Sequence, residues 1–400
     1  MGAKSIYKVI TYICIVVLAG CAMQPTPQPP KTTTTAPVEE PPKPAETRVS
    51  FVGVGDNLIH ETIYLDAKNN ASQEGKEGYD FSPMYTKMKP LIEAADLAFL
   101  NQETILGGDD RGLSGYPVFN SPSILADQMI EVGFDLFNHA SNHSMDKGKK
   151  GIEHAAALWR SKPNIAMSGI YDSEEDRNTP RIIERKGIRF AFLAYTYGTN
   201  GIKIPDSYLV SLFDKDKIKA DVDRVRSLAD VIIVSAHWGT EGIFTANSMQ
   251  KEYAKYLSSL GVDVVIGTHP HTIQPIEWLR NDTGKETLVV YSLGNFISGM
   301  LDVYNLLGGM IGMEFVRQPD DTEVTIEHVT WTPLVTHYDG NPNNIIKERY
   351  HYEVMPLSAY TEELAKRHAL NGYNKQTVSI ENYRQKTKDV IQSSVEIIWE

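Results

Sequence analysis

Cysteine is nearly absent. Cys14 and Cys21 are the only two in 400 residues. Everything after Cys21 therefore lacks the thiols for a disulfide or a thiolate metal site, and its stability must come from a packed core. Lys/Arg-rich runs are also missing. Acidic residues (51) outnumber basic ones (39), for a net charge of −12, so the chain has no basic footprint for nucleic acid. No Gly-x-x-x-x-Gly-Lys-Ser/Thr loop occurs, which excludes a P-loop site for ATP. No apolar run is long. Val9–Gly20 falls short of the roughly 20 residues that cross a bilayer. No internal repeat is visible. What remains is ordinary globular composition, enough for a large core.

The N-terminus reads as an address. Lys4 and Lys8 precede the short apolar stretch, the pattern of a secretory signal over residues 1–20. It ends in Leu18-Ala19-Gly20-Cys21, which resembles the bacterial lipobox. That resemblance implies removal of Cys14 with the signal and lipidation of Cys21, giving an extracytoplasmic protein anchored to the cell membrane. Residues 21–48 are dense in Pro and Thr and predict an extended tether.

From Val49 the chain alternates apolar runs with helical patterns. The run at Val49 is followed by a polar segment, Glu61 to Tyr79, expected as a loop insertion. Ser82-Pro83 predicts a helix through Ala94, and Ser121-Pro122 a second to Glu131, stopped by Gly133. Helices are also expected over Asp146–Trp159, Lys215–Leu228 and Ser248–Leu260. Strands are expected at Leu97, Asp135, Ile165–Ser168, Arg181–Arg185, Ile188–Tyr195, Val231 and Val262. This alternation predicts an α/β fold with a mostly parallel sheet. After His271 the texture becomes nearly all strand: Ile273–Leu279, Thr287–Ser292, Met310–Val316 and Val324–Trp331 predict antiparallel pairing in a second sheet. Residues 336–400 read as a mostly helical extension, with starts at Thr361 and Ile380.

Five of the apolar runs lead into metal-type ligands. Val49–Gly55 leads into Asp56, Leu97–Leu100 into Asn101-Gln102-Glu103, and Asp135–Phe137 into Ser141-Asn142-His143. Val231–Val234 leads into His237, and Val262–Ile266 into Gly267-Thr268-His269-Pro270-His271. Ligands of open α/β sheets gather outside the carboxyl ends of the strands. These residues are therefore expected on one edge of one sheet. Mixed carboxylate, carboxamide and imidazole donors suit Mn, Zn or Fe better than Ca. His143 reads as a ligand or as a proton donor to a leaving group, and His60, four residues after Asp56, is a possible addition. Asn142 and Asp56 also suit helix or loop capping. His139, His154, His328, His337, His351 and His368 have no partners in the sequence and read as structural.

Val54-Gly55-Asp56, Asn101-Gln102-Glu103, Ser141 to Gly148, His237-Trp238-Gly239-Thr240-Glu241, Gly267 to His271 and Tyr291 to Phe296 occur in this order. Together they resemble the CapA family of poly-γ-glutamate capsule biosynthesis proteins, a branch of the calcineurin-like metallophosphoesterase superfamily. The resemblance covers residues 49–335. It implies a four-layer α/β/β/α sandwich with a helical C-terminal extension. It implies a divalent metal on Asp56, Glu103, Asn142, His237, His269 and His271, with His143 as general acid. It also implies an anionic polymer such as poly-γ-glutamate and membrane-bound synthesis partners. Two departures stand out: the superfamily's Asp-x-His is here Asp56-Asn57-Leu58, and its bridging aspartate is here Glu103. Asn57 and His60 are the residues placed to compensate.

Three functions stay open at this level. One is a cell-surface lipoprotein acting in capsule synthesis or export. The second is a metal-dependent hydrolase, of phosphoesters or γ-glutamyl polymer, unrelated to capsule. The third is a non-catalytic, polymer-binding assembly factor.

Overall fold

The computed structural model describes residues 46–319, 321–391 and 395–399. The expected signal peptide, Cys21 and most of the expected tether lie outside the described residues. The strands are β1 (Thr47–Leu58), β2 (Leu97–Asn101), β3 (Leu136–Asn138), β4 (Ala166–Ser168), β5 (Ile182–Arg185), β6 (Ile188–Thr196), β7 (Val231–His237), β8 (Val264–Thr268), β9 (Ile273–Arg280), β10 (Glu286–Leu293), β11 (Asn295–Ser298), β12 (Leu307–Arg317), β13 (Val324–Gly340), β14 (Arg349–Pro356) and β15 (Glu396–Ile397). The helices are α1 (Glu61–Gln73), α2 (Ser82–Tyr85), α3 (Lys89–Glu93), α4 (Leu125–Val132), α5 (Gly148–Arg160), α6 (Glu174–Asn178), α7 (Lys215–Val225), α8 (Ser248–Ser259), α9 (Glu362–Arg367) and α10 (Ile380–Ile391).

The strands form two sheets. The first runs β14-β13-β12-β1-β2-β3-β4, with β11 added beside the end of β1 and β15 beside β13; the second runs β5-β6-β7-β8-β10-β9. Strand alternation shows how they stack. Phe99 of β2 meets Phe192 of β6 at 5.9 Å, and Phe190 meets Phe315 of β12 at 5.0 Å, so these faces look at each other. Phe99 pairs in register with Leu136, which puts the next residue, Phe137, on the opposite face. There its ring meets Trp159 of α5 at 4.2 Å. On the far side of the second sheet, Ala191, Leu193, Val234 and Val265 pack with Ile218 and Val222 of α7 and Leu257 of α8. The order is helix, sheet, sheet, helix: a four-layer α/β/β/α sandwich. Among the described residues no helix is long and apolar enough to cross a membrane.

Several expectations change. Glu61–Gln73 is helix α1 rather than a loop, because Ile63, Tyr64, Ala67 and Ala71 make a buried stripe that its Asn and Glu residues dilute. The helix expected over Ser82–Ala94 is broken into α2 and α3: Pro90 lacks the N–H that would continue the ladder and instead opens a new helix. The C-terminal region is not only helical. β13 continues to Gly340, and β14 closes the end of the first sheet, with Tyr352, Val354 and Met355 buried. The sheets also do not divide in chain order. β1–β4 and β12–β14 share one sheet while β5–β10 form the other. Periodicity identifies a strand but not which sheet it joins.

Candidate metal centre

The expected donors converge, but on the meeting edge of two sheets rather than one. Asp56, Glu103 and the Asn142-His143 turn come from the ends of β1, β2 and β3 in the first sheet. His237, His269 and His271 come from the ends of β7 and β8 in the second. Those strands run parallel within each sheet, so their carboxyl ends open on the same side. All seven residues are buried. Gly267 allows the close approach of β8 to β10: a Cβ there would lie 1.9 Å from the Tyr291 carbonyl oxygen. His269 and His271 follow with positive φ, at 94° and 56°, a conformation costly for imidazole residues.

Glu103 sits at the middle. Its Oε1 lies 3.8 Å from His237 Nε2 and 3.7 Å from His271 Nε2. Neither Glu103 oxygen has a hydrogen-bond partner although both are buried, and His269 Nδ1 is likewise unpartnered. Orphaned buried polar atoms of this kind are rare unless something else binds them. His237 Nε2 and Asn142 Oδ1 are 2.9 Å apart, close to the ~3 Å separation of neighbouring ligands on one ion at about 2.1 Å. Glu103, His269 and His271 place donor atoms within 4.8 Å of one another, as do Asp56, Glu103 and His237. The donor set therefore fits a divalent cation.

Electrostatics agree. Burial pushes the Glu103 carboxyl well above the usual carboxylate range, opposed by His271 and reinforced by Asp56. Burial holds His237 and His269 well below the usual imidazole range, with neighbouring histidines adding to it. For His271 burial also opposes the charged ring, but the Glu103 and Asp56 carboxylates outweigh it and raise it. His237 and His269 are thus held neutral beside two carboxylates, and neutral imidazole and carboxylate are the forms that bind a cation.

Beside this cluster stands His143. Its Nδ1 lies 2.7 Å from Asp146 Oδ2, which also accepts the Phe119 backbone N–H at 2.7 Å. The Phe119 ring packs edge-on against His143 at 4.7 Å. With Nδ1 held, Nε2 is the nitrogen left for chemistry.

Two expected donors go elsewhere. Asn57 points to the other face of β1. Its Nδ2 donates to Gln102 Oε1 at 2.7 Å and its Oδ1 accepts from the Tyr85 hydroxyl at 2.8 Å, so it does not replace the missing histidine. His60 lies at the rim against Phe119 at 5.4 Å, with Nδ1 3.2 Å from both the Leu58 carbonyl and the Gly299 N–H. Among the described residues no hydrogen bond or ion pair joins it to Glu103 or Asp56.

The structure also shows a relationship among these residues that the sequence does not. Asn295, Asp56, Asn101 and Asn138 pair in register across four neighbouring strands. Asn138 Nδ2 donates to Asn101 Oδ1, and Asn101 Nδ2 to Asp56 Oδ1, both at 2.7 Å. Asn295 Oδ1 meets His271 Nδ1 at 3.0 Å. Tyr197, 43% exposed, lies over His269 at 4.7 Å and walls the mouth. Asp146 was visible in the Ser141–Gly148 motif, three residues after His143. Asn101 and Asn295 stood in recognisable motifs, but their alignment with Asp56 and Asn138 had no signal, because only sheet register creates it.

Residues 50–300 match the family described as bacterial capsule synthesis protein PGA_cap. The PGA biosynthesis protein CapA of Bacillus subtilis is 28% identical over 170 residues, 42% of this chain and 43% of that protein. The capsule biosynthesis protein CapA of Bacillus anthracis is 26% identical over 173 residues, 42% of this chain and 41% of that protein. The match thus spans less than half the length of these curated relatives. Among solved structures, a phosphatase from Mycoplasma pneumoniae aligns at 14% identity and TM-score 0.45, covering 73% of this chain and 95% of that one. A 5′-nucleotidase from Candida albicans aligns at 15% identity and TM-score 0.36, covering 68% and 48%.

Proposed function

Because this chain belongs to the bacterial capsule synthesis protein family, we propose that it acts at the cell surface in making, exporting or attaching an anionic polymer such as poly-γ-glutamate. It does so through a divalent-metal centre of Mn, Zn or Fe. In this reading Cys21 carries the lipid anchor, the Pro/Thr-rich segment is the tether, and membrane-bound synthesis partners supply the activated monomer, since the chain has no ATP loop of its own.

One observation carries the metal-centre reading: the Glu103 carboxylate is buried with both oxygens unpartnered, between the Nε2 atoms of His237 and His271. A divalent ion there would polarise an acyl or phosphoryl oxygen and lower the pKa of a bound water. The protein's own residues do the rest. Asp146 fixes the His143 ring, and His143 Nε2 holds the proton that a leaving group needs. Phe119 shields that pair from water. Tyr197 borders the mouth as an aromatic surface for a bound chain.

The buried His143–Asp146 pair also favours catalysis over passive polymer binding, because retention of a polymer has no use for an oriented proton carrier. A metal-dependent hydrolase unrelated to capsule is the reading next in line. The test is a deletion strain complemented with wild type, Glu103→Gln or His143→Gln. Surface anionic polymer should fall in the deletion and return only with wild type. Unchanged polymer in the deletion strain removes the capsule role. Full restoration by both variants removes the catalytic one.

A further inference from the structure

Two irregular segments hold His271 in place. The first is a single 3₁₀ turn, Val303–Leu306. Its Asn305 Nδ2 donates to the His271 carbonyl at 2.9 Å. The Asn305 carbonyl accepts from Asn295 Nδ2 at 2.8 Å, which leaves Asn295 Oδ1 facing His271 Nδ1 at 3.0 Å. Asn305 thus fixes His271 twice, at its backbone and through the neighbour of its ring. The second segment is the loop between β7 and α8. The Gly242 N–H donates to the Pro270 carbonyl at 2.8 Å, and the Ile243 carbonyl accepts from Thr272 Oγ1 at 3.0 Å and Gln274 Nε2 at 2.8 Å. The chain is therefore tied down on both sides of His271.

Hydrogen bonds in a 3₁₀ turn are poorly aligned, so a lone turn depends on outside partners. Here they come from the C-terminal extension, beyond residues 50–300 that match the family. Gln376 Oε1 accepts the Val303 N–H at 2.8 Å, and its Nε2 donates to the Leu301 carbonyl at 2.8 Å. The buried Tyr383 of α10 donates its hydroxyl to the Val303 carbonyl at 3.0 Å. Lys386 lies three residues on, hence on the same face of α10. Its Nζ stands 4.4 Å from the Phe244 ring centroid and 4.9 Å from that of Tyr304. Those two rings meet edge to face at 5.7 Å. Phe244 belongs to the β7–α8 loop and Tyr304 to the turn, so one ammonium group bridges both segments through ring faces.

Resting on the metal-centre reading above, we infer that Gln376, Tyr383 and Lys386 are positioning residues for that centre. They act through the turn and the loop, which set the backbone and ring of His271. The C-terminal extension is then a working part of the site as well as a cover for the core. Groups that orient a metal ligand from outside tune metal affinity although they never touch the ion.

The test uses the full-length chain in detergent. Mn²⁺ affinity is read from the paramagnetic resonance of the free ion, and amide hydrogen exchange over residues 269–275 is read on the metal-free protein. Gln376→Leu removes both bonds of that side chain, and Tyr383→Phe removes one. Lys386→Met removes only the charge and keeps the stem, so it serves if Gln376→Leu does not fold. Val390→Ala, a buried truncation in the same helix, is the comparison for lost stability alone. The first three variants should bind Mn²⁺ about 10-fold more weakly and exchange faster over 269–275. Val390→Ala should lower Tm and leave both readouts at wild type. Wild-type affinity and exchange in folded Gln376→Leu and Lys386→Met overturn the inference and leave the metal-centre reading standing. An equal loss in Val390→Ala does the same, because general loosening would then explain it. Folded wild type that takes up no Mn²⁺ overturns both.

Discussion

His143 Nδ1 and Asp146 Oδ2 are 2.7 Å apart in a buried pair three residues apart in the chain. Asp146 also accepts the Phe119 backbone N–H, so one carboxylate both aims the imidazole and pins the loop that covers it. Replacing His143 with Gln should lower turnover about 10²–10⁴-fold with little change in Tm, the range for loss of a proton donor. Asp146→Asn should lower both turnover and Tm. The measurement is steady-state hydrolysis of whichever phosphoester or γ-glutamyl probe wild type accepts, beside thermal melting. Wild-type turnover in His143→Gln would remove the residue from the mechanism.

Asn101 is a structural pivot. Asn101→Ala would strip a partner from Asp56 Oδ1 and from Asn138 Nδ2, both fully buried. Each keeps a second, longer partner, so the expected cost is that of the lost bonds: about 0.5–1.5 kcal/mol for the neutral one and about 1.5–3 kcal/mol for the one to the carboxylate. Urea unfolding checks it, and a midpoint within error of wild type would refute it.

Gly267 should tolerate no side chain. The Cβ of Gly267→Ala would lie 1.9 Å from the Tyr291 carbonyl, forcing β8 and β10 apart just before His269. The variant should be insoluble or melt many degrees lower. A soluble protein with native circular dichroism and unchanged Tm would show that the strands can part.

Stability should fall in acid through buried neutral histidines. Burial holds His368 down at about 3, with the neighbouring His337 adding to it, and its Nδ1 accepts the Leu370 N–H. An unfolded-state value near 6.5 means that the unfolded chain binds the extra proton as pH drops. Stability from this group is complete above pH ~6.5 and is lost as pH falls towards the folded value. His368→Phe should flatten the stability slope in that window by up to about 1.4 kcal/mol per pH unit. Denaturant titrations at several pH values read it, and an unchanged slope would exclude His368 as a contributor.

The C-terminal region should be indispensable to folding. β14 covers β13 along Leu334–Gly340, so ending the chain at residue 341 would expose that edge and the buried faces of Leu334 and Val335. The truncated protein should aggregate; a soluble, cooperatively melting product would contradict this.

What the sequence determined by itself was local: which runs are strands, where Gly133 and Pro83 punctuate helices, and which side chains sit at or shortly past the strand ends. A strand end presents its next residues to the open edge whatever its neighbours are, so Asp56, Glu103, Asn142, His237, His269 and His271 were legible before any tertiary contact. Tertiary structure decided what depends on register and on the pairing of sheets. It assigned β4 and β5 to different sheets, turned Asn57 away from the centre, and aligned Asn295, Asp56, Asn101 and Asn138 in one row. It also brought Asp56 Oδ2 against His271 Nδ1, residues 215 positions apart. A period of two or of 3.6 records which face of an element is buried. It carries nothing about which distant element covers that face, because that choice is made by packing and hydrogen bonding across the whole core.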